Sequence, residues 1–265
     1  MSNSLGSMPE KSSFAGRHAV VTGAGRGIGR EIAFALTRAG ADVTAIGRSA
    51  QPLDELVGAG GAARALSADV TDAEALTSAF ARAVDAAGPV DLLVANAGGA
   101  ETAPFLKTPD AMFERMFALN VMGTVHAARA VLPGMIERRS GRIIMIASTA
   151  GLKPYAYVSA YVTAKHAVIG LMRALALETA ETGVTVNAIC PGFTDTDLVE
   201  ESIARIVTKT GRTREAALGE LVKNNPQKRL IAPDEVAATV LWLASEGARS
   251  VTGQAISIAG GEVMG

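Results

Sequence analysis

Thr22-Gly23-Ala24-Gly25-Arg26-Gly27-Ile28-Gly29 is the stretch from which the rest of the chain is read. Ahead of it, Arg17-His18-Ala19-Val20-Val21-Thr22 is a short β-prone run. Behind it, residues 28–39 carry Ile32, Ala33, Leu36 and Ala39 at helical spacing, and Gly40 stops the helix. Glycines let the backbone turn tightly and approach a ligand without Cβ clashes. The helix N-terminus then offers unpaired N–H groups and a partial positive charge. Strand, glycine loop and helix start together make a seat for a pyrophosphate. The plain alternative is a turn joining strand to helix. The flanking strand and amphipathic helix weigh against it, although the spacing Gly23, Gly27, Gly29 is looser than GxGxxG.

Outward from the loop, strand and helix alternate. Residues 42–46, 64–68, 92–95, 143–147, 185–189 and 255–258 are further strand candidates, with a short helix at 53–57. Thr71 is expected to cap a helix running to about Ala87, with Glu74 completing a capping box. Residues 109–136 form a long helical region bent near Gly123 and Pro133, and 158–180 a long helix. Residues 196–223 read as a polar helical insertion, and Pro233-Asp234-Glu235 opens a helix ending near Ala244. Such alternation implies right-handed crossovers and a parallel sheet with helices on both faces. Nothing splits residues 15–265, which are expected to form a single domain behind a flexible tail at 1–14.

The chain has 265 residues, 49% hydrophobic and 19% charged, enough for a large core without disulfide or metal staples. Lys plus Arg is 25 and Asp plus Glu 26, so a nucleic-acid or anionic-membrane surface is not expected. The lone cysteine, Cys190, reads as a small buried residue, which suits a cytoplasmic chain. The serine-rich first 13 residues lack the features of a signal peptide. His18, His126 and His166 do not cluster with carboxylates, so no catalytic metal is expected. Trp242 with Leu241 and Leu243 reads as the packed face of a helix.

The end of the second strand selects among dinucleotides. An NAD site usually has a carboxylate there for the ribose hydroxyls. Here the residues are Ile46-Gly47-Arg48, with Arg26 in the loop above. Two guanidinium groups suit a 2′-phosphate, so NADP is favoured over NAD. Two solvated surface arginines are the alternative.

Tyr161 and Lys165 stand at i, i+4 on one helix face, and Ser148 follows the buried fifth strand. Residues just past the C-terminal ends of parallel strands line the ligand crevice. A carbonyl that accepts hydride gains negative charge on oxygen. A phenol can supply the proton, a serine hydroxyl can hold the oxygen, and a nearby ammonium is expected to lower the phenol pKa from about 10. Tyr155 and Tyr157 have no lysine four residues on.

TGAGRGIG, Asp69-Val70, Ala95-Asn96-Ala97-Gly98, Asn120, Ser148, YVTAK and Pro191-Gly192 are similar in order and spacing to the short-chain dehydrogenase/reductase family. The resemblance runs from about residue 15 to 261. It implies an α/β fold with a single Rossmann-type, doubly wound domain, a seven-stranded parallel sheet, and a homotetramer. It implies an NAD(P)-dependent oxidoreductase interconverting a ketone and a secondary alcohol. Tyr161 resembles the family's acid/base, Ser148 its carbonyl-orienting hydroxyl, Lys165 the ribose-binding lysine, and Asn120 the residue holding a relay water. Gly23, Arg26, Gly27, Ile28, Gly29 and Arg48 would meet the cofactor, as would Asp69 and Val70 at the adenine. Asn96, Gly98, Pro191, Gly192, Thr194 and Thr196 would border it, with Tyr161 and Lys165. Two departures are Ala95 before Asn96, and Ala259 where an aspartate usually precedes Gly260-Gly261.

The substrate side is expected from Ala150, Tyr155 and Phe193, with 194–223 as an amphipathic lid or an assembly hairpin. The insertion resembles that of 3-hydroxybutyrate dehydrogenases, but Val158 stands where those enzymes carry a carboxylate-binding lysine. Residues 146–149 and 186–193 look more like bacterial ketoacyl and polyketide ketoreductases. The favoured substrate is therefore a 3-oxoacyl thioester or similar bulky carbonyl. A small hydroxy acid such as 3-hydroxybutyrate is the alternative. A non-catalytic dinucleotide-binding regulator or scaffold is the alternative of another class.

Overall fold

The computed structural model describes residues 14–264. Its strands are β1 (His18–Thr22), β2 (Asp42–Gly47), β3 (Arg64–Ser67), β4 (Leu92–Ala95), β5 (Gly141–Ile146), β6 (Val184–Pro191) and β7 (Ala255–Ile258). They form one seven-stranded sheet in the order β3-β2-β1-β4-β5-β6-β7, every pair parallel. The helices are α1 (Gly27–Arg38), α2 (Ala50–Gly58), α3 (Ala73–Ala87), α4 (Asp110–Phe117), α5 (Gly123–Glu137), α6 (Ser159–Glu178), α7 (Asp197–Thr210), α8 (Arg214–Val222) and α9 (Pro233–Ala244).

β1, β4, β5 and β6 are buried along their whole length, because helices cover both faces. Neighbouring residues nevertheless divide between two cores, as a period of two requires. Val20, Leu93 and Met145 join Leu76, Phe80, Val131, Val168 and Met172 on one face. Val21, Val94 and Ile144 join Ile32, Leu36, Val240 and Leu243 on the other.

Several expectations change at element boundaries. α3 is capped by Asp72, whose carboxylate accepts from the N–H groups of Glu74 and Ala75; Thr71 instead bonds to Asp69. Both side chains sit at the helix start, and the carboxylate is the stronger acceptor. The region 109–136 is α4 and α5 joined by a π-helical turn, Ala118–Met122, and Pro133 is accommodated inside α5. The insertion is two helices, because Gly211 ends α7 at φ +67. Trp242 is exposed while Val240 and Leu243 fill the core, so it lies off the packed face. Of the expected flexible tail, 1–13 lie outside the described residues. Phe14 is buried, its N–H bonded to Ala39 O at 3.1 Å and its ring under the Arg17 guanidinium.

Candidate active site

The sheet order reverses between β1 and β4, where neighbouring crossovers leave to opposite faces and a crevice opens. A cleft of about 310 Å³ occupies that crevice. Gly23, Arg26, Gly27, Ile28 and Gly29 of the loop line it, together with Arg48, Val70, Asn96 and Gly98 from the strand ends. Asn96 ties the two strand ends together. Its Nδ2 donates to Thr22 O at 3.0 Å and Gly23 O at 3.1 Å, while Thr22 Oγ1 accepts from the N–H groups of Asn96 and Ala97. A Cβ on Gly29 would overlap Asn96 Nδ2 and the Gly23 carbonyl, so this crossing of helix and strand requires glycine.

At the far end of the cleft Arg48 is exposed, and among the described residues no carboxylate pairs with it. Arg26 does have a partner, Glu201 of α7, at 3.4 Å across solvent. Ser49 also lines the cleft and stands at the start of α2 with no capping bond. Sequence reasoning missed it, although a serine ahead of a helix is a legible cap signal. Asp69 Oδ1 accepts from Thr71 N–H at 2.9 Å and from Thr71 Oγ1 at 2.8 Å, and its neighbours Ala68 and Val70 line the cleft.

The inner end of the cleft holds Tyr161 and Lys165, from adjacent turns of α6. Ser148, beyond β5, stands close enough to the Tyr161 hydroxyl to favour its ionised form, and its Oγ accepts the Ala150 N–H at 3.1 Å. Lys165 is buried and donates to Ile146 O at 3.0 Å, its Nζ 5.7 Å from the centre of the Tyr161 ring. Burial pulls its pKa down to about 8. The expected lowering of the Tyr161 phenol is not found. Burial raises it and the nearby Cys190 thiol adds to the rise, while Ser148 opposes it. Cys190 is buried beside this group, and burial pushes its thiol up to about 11.

Asn120 sits buried in the π-helical turn. Nδ2 donates to Gly99 O and Met116 O, both at 3.0 Å, and Oδ1 accepts from Gly99 N–H at 3.3 Å. The side chain thus fixes the loop after β4. π-turns of this kind recur at functional sites.

On the substrate side, Ala150 is buried and contributes its backbone N–H to Ser148, not its side chain to the cleft. Tyr155 and Phe193 meet edge to face, centroids 6.4 Å apart. The Tyr155 hydroxyl lies 2.8 Å from both Thr149 Oγ1 and Glu262 Oε1. Burial raises its pKa, and the Glu262 carboxylate and nearby Tyr161 add to the rise. Lys153 Nζ reaches the same Glu262 oxygen at 3.2 Å. Sequence reasoning missed Glu262. Pro191 ends β6, Gly192 N–H bonds to Ile258 O, and Thr194 is buried. Thr196 lines the cleft beside Gly27, as does Leu198.

The two helices of the insertion cover part of each other's apolar face. Val199, Ile203 and Ala217 are buried against Ile206, Leu218 and Leu221 in a small core of their own. Among the described residues, no three His, Cys, Asp or Glu side chains could hold a metal, and no helix is long and apolar enough to cross a membrane.

Three comparisons agree with this geometry. The family model described as short chain dehydrogenase matches residues 17–206. D-beta-hydroxybutyrate dehydrogenase of Rhizobium meliloti (strain 1021) is 38% identical over 92% of this chain and 97% of its own length. A putative ketoacyl reductase of Streptomyces coelicolor is 36% identical over 92% of this chain and 95% of its own. A crystal structure of a single-site variant of actinorhodin polyketide ketoreductase with NADPH superposes with a TM-score of 0.89. It is 34% identical and covers 93% of this chain and 97% of that one.

Proposed function

Because the chain belongs to the short-chain dehydrogenase family, we propose that it interconverts a ketone and a secondary alcohol by hydride transfer, using NADP in preference to NAD. The observation that carries the reading is the meeting of Tyr161 and Lys165 at the inner end of a cleft also lined by the glycine loop, with Ser148 close beside Tyr161. That loop fits a dinucleotide. Its glycines leave no side chain over the N-terminus of α1, where unpaired N–H groups attract a pyrophosphate. Arg48, Ser49 and the start of α2 would hold a 2′-phosphate, Val70 the adenine, and Asn96, Gly98 and Thr196 the middle of the molecule.

When bound, the dinucleotide supplies or accepts the hydride. Ser148 Oγ holds the carbonyl oxygen, and the Tyr161 hydroxyl gives that oxygen its proton. Burial keeps Tyr161 protonated in the free chain, the form that reduction needs. Lys165, with a pKa near 8, holds the ribose and can exchange a proton close to neutrality. Asn120 is a positioning residue that fixes Gly99 beside them.

The substrate proposed is a 3-oxoacyl thioester or similar bulky ketone. The ketoreductase likeness and the aromatic edge of Tyr155 and Phe193 support it. A small 3-hydroxy acid is the second reading, favoured by the hydroxybutyrate dehydrogenase relatives. Residues 15–265 act as one unit, in the cytoplasm, as a homotetramer. Exposed Phe117 and the apolar recess between α4 and α6 support a subunit contact, and light scattering tests it. The deciding experiment follows NADPH oxidation with acetoacetyl thioesters, bulky cyclic ketones and acetoacetate. Turnover of the neutral ketones is expected. Silence with every substrate would favour the non-catalytic regulator or scaffold.

A further inference from the structure

The chain after β7 turns back on itself. Gly260 and Gly261 have φ of +59 and +89, Asn225 packs so closely that a Cβ on Gly260 would overlap its side chain, and Glu262 N–H bonds to Ala259 O at 3.1 Å. This turn carries Glu262 inward until its side chain is only 3% exposed. A carboxylate is buried at high cost unless it is paired. Here it has two partners, Lys153 Nζ at 3.2 Å and the Tyr155 hydroxyl at 2.8 Å. With one proton, that hydroxyl donates to the carboxylate and accepts from Thr149, the residue next to Ser148.

The pair stands between the two segments that frame the substrate side. Lys153 and Tyr155 belong to the loop after Ser148, with the Lys153 ammonium 5.0 Å from the centre of the Tyr155 ring. Phe193 packs on that ring, and Glu262 Oε2 comes within 3.7 Å of where a Cβ on Gly192 would stand. The Lys153 side chain is 31% exposed, so a ligand can still reach it. Left unpaired, this ammonium would attract a substrate carboxylate. Paired, it presents little net charge.

We propose that Glu262 determines substrate class: by neutralising Lys153 it makes the site accept neutral ketones, esters and thioesters and discriminate against free keto acids. The proposal rests on the reductase reading above for its substrates, but not for its electrostatics. It assigns a role to the last turn of the described chain, and it offers a physical reason to favour the bulky neutral carbonyl over the small hydroxy acid.

The test compares kcat/KM for acetoacetate and for its methyl ester, which share one reacting ketone and differ by one charge, with NADPH as cofactor. The Glu262→Gln variant keeps an acceptor for Tyr155 and releases the Lys153 charge. The acid-to-ester ratio is expected to rise about tenfold, and less at high salt. Lys153→Met leaves the carboxylate uncompensated, and the ratio should fall below wild type. The double variant should return to the wild-type ratio, which a merely structural tie would not produce. If Glu262→Gln does not fold, the fall in Lys153→Met carries the proposal. Unchanged ratios in the variants that fold would overturn it. Should the wild type turn over neither substrate, the reductase reading falls, and the same ratio is read as Kd from the fluorescence of bound NADPH.

Discussion

The regions on the two sides of Tyr161 are built from different material. The dinucleotide end is backbone: the loop 23–29, the start of α1 and the strand ends tied by Asn96. The proposed substrate end, outside the lining of the cleft itself, is side chains: Tyr155 on Phe193, and Glu262 between Lys153 and the Tyr155 hydroxyl. A site made of backbone demands particular residues, since only glycine permits the crossing at Gly29. A site made of side chains can be rebuilt by many residue combinations. The first should therefore fail sharply when a single atom is added. The second should change selectivity and keep its shape.

The largest effect should come where the two ends meet. Tyr161→Phe removes only the proton-carrying hydroxyl, and kcat should fall by about 10²–10⁴-fold while NADPH affinity is unchanged. Retention of a third of wild-type turnover would dissolve the proposed centre. At the backbone end, Gly29→Ala should cost about 3 kcal/mol of stability and most of the dinucleotide affinity, read by thermal melts and cofactor titration. Phe193→Ala, at the other end, should leave dinucleotide affinity intact. If the two variants behave alike, the contrast between backbone and side-chain construction is wrong.

Lys165 is held at about 8 against an ordinary 10.5. Between those values the unfolded chain binds a proton that the folded chain does not. Stability from this group thus rises with pH across that window, and its cost is full below about 8. Lys165→Met should be more stable than wild type at pH 7 by about 2 kcal/mol. The gap should close toward pH 10.5 in denaturant titrations, while activity is lost. A variant less stable at pH 7 would mean that the bond to Ile146 O outweighs the buried charge.

Arg48→Ala should raise the KM for NADPH about fivefold and leave that for NADH nearly unchanged, as expected for an exposed charge pair. Equal effects would remove the 2′-phosphate from the account. The smallest change concerns the insertion. Since α7 and α8 bury their apolar faces on each other, cofactor should slow amide exchange only around residues 196–198, which line the cleft. Slowing across 194–223 would restore the lid.

Strand and helix types were legible throughout, because buried strands and amphipathic helices have distinct periods. Their ends were less so: Asp72 and Thr71 both suit a cap, and only the fold decides which faces the helix. The π-helical turn at Asn120 had no signal in the residues, which continue the helical pattern from α4 into α5. The insertion had the right residues for an amphipathic lid, but nothing in their order told whether the partner was a ligand or the neighbouring helix.

By itself, the sequence determined the sheet with its two covers, the glycine loop, and the group of Ser148, Tyr161 and Lys165. Each depends on residue type at short spacing or just beyond a strand end, where local geometry sets direction. Tertiary structure alone decided the strand order, the rise of the Tyr161 pKa, the partner of Arg26, and the arrival of Glu262 at Lys153. Glu262 and Lys153 are 109 positions apart, and they meet only because β7 lies beside β6 and the turn after it folds back. Burial and long-range charge are properties of the packed chain, so no local pattern encodes them.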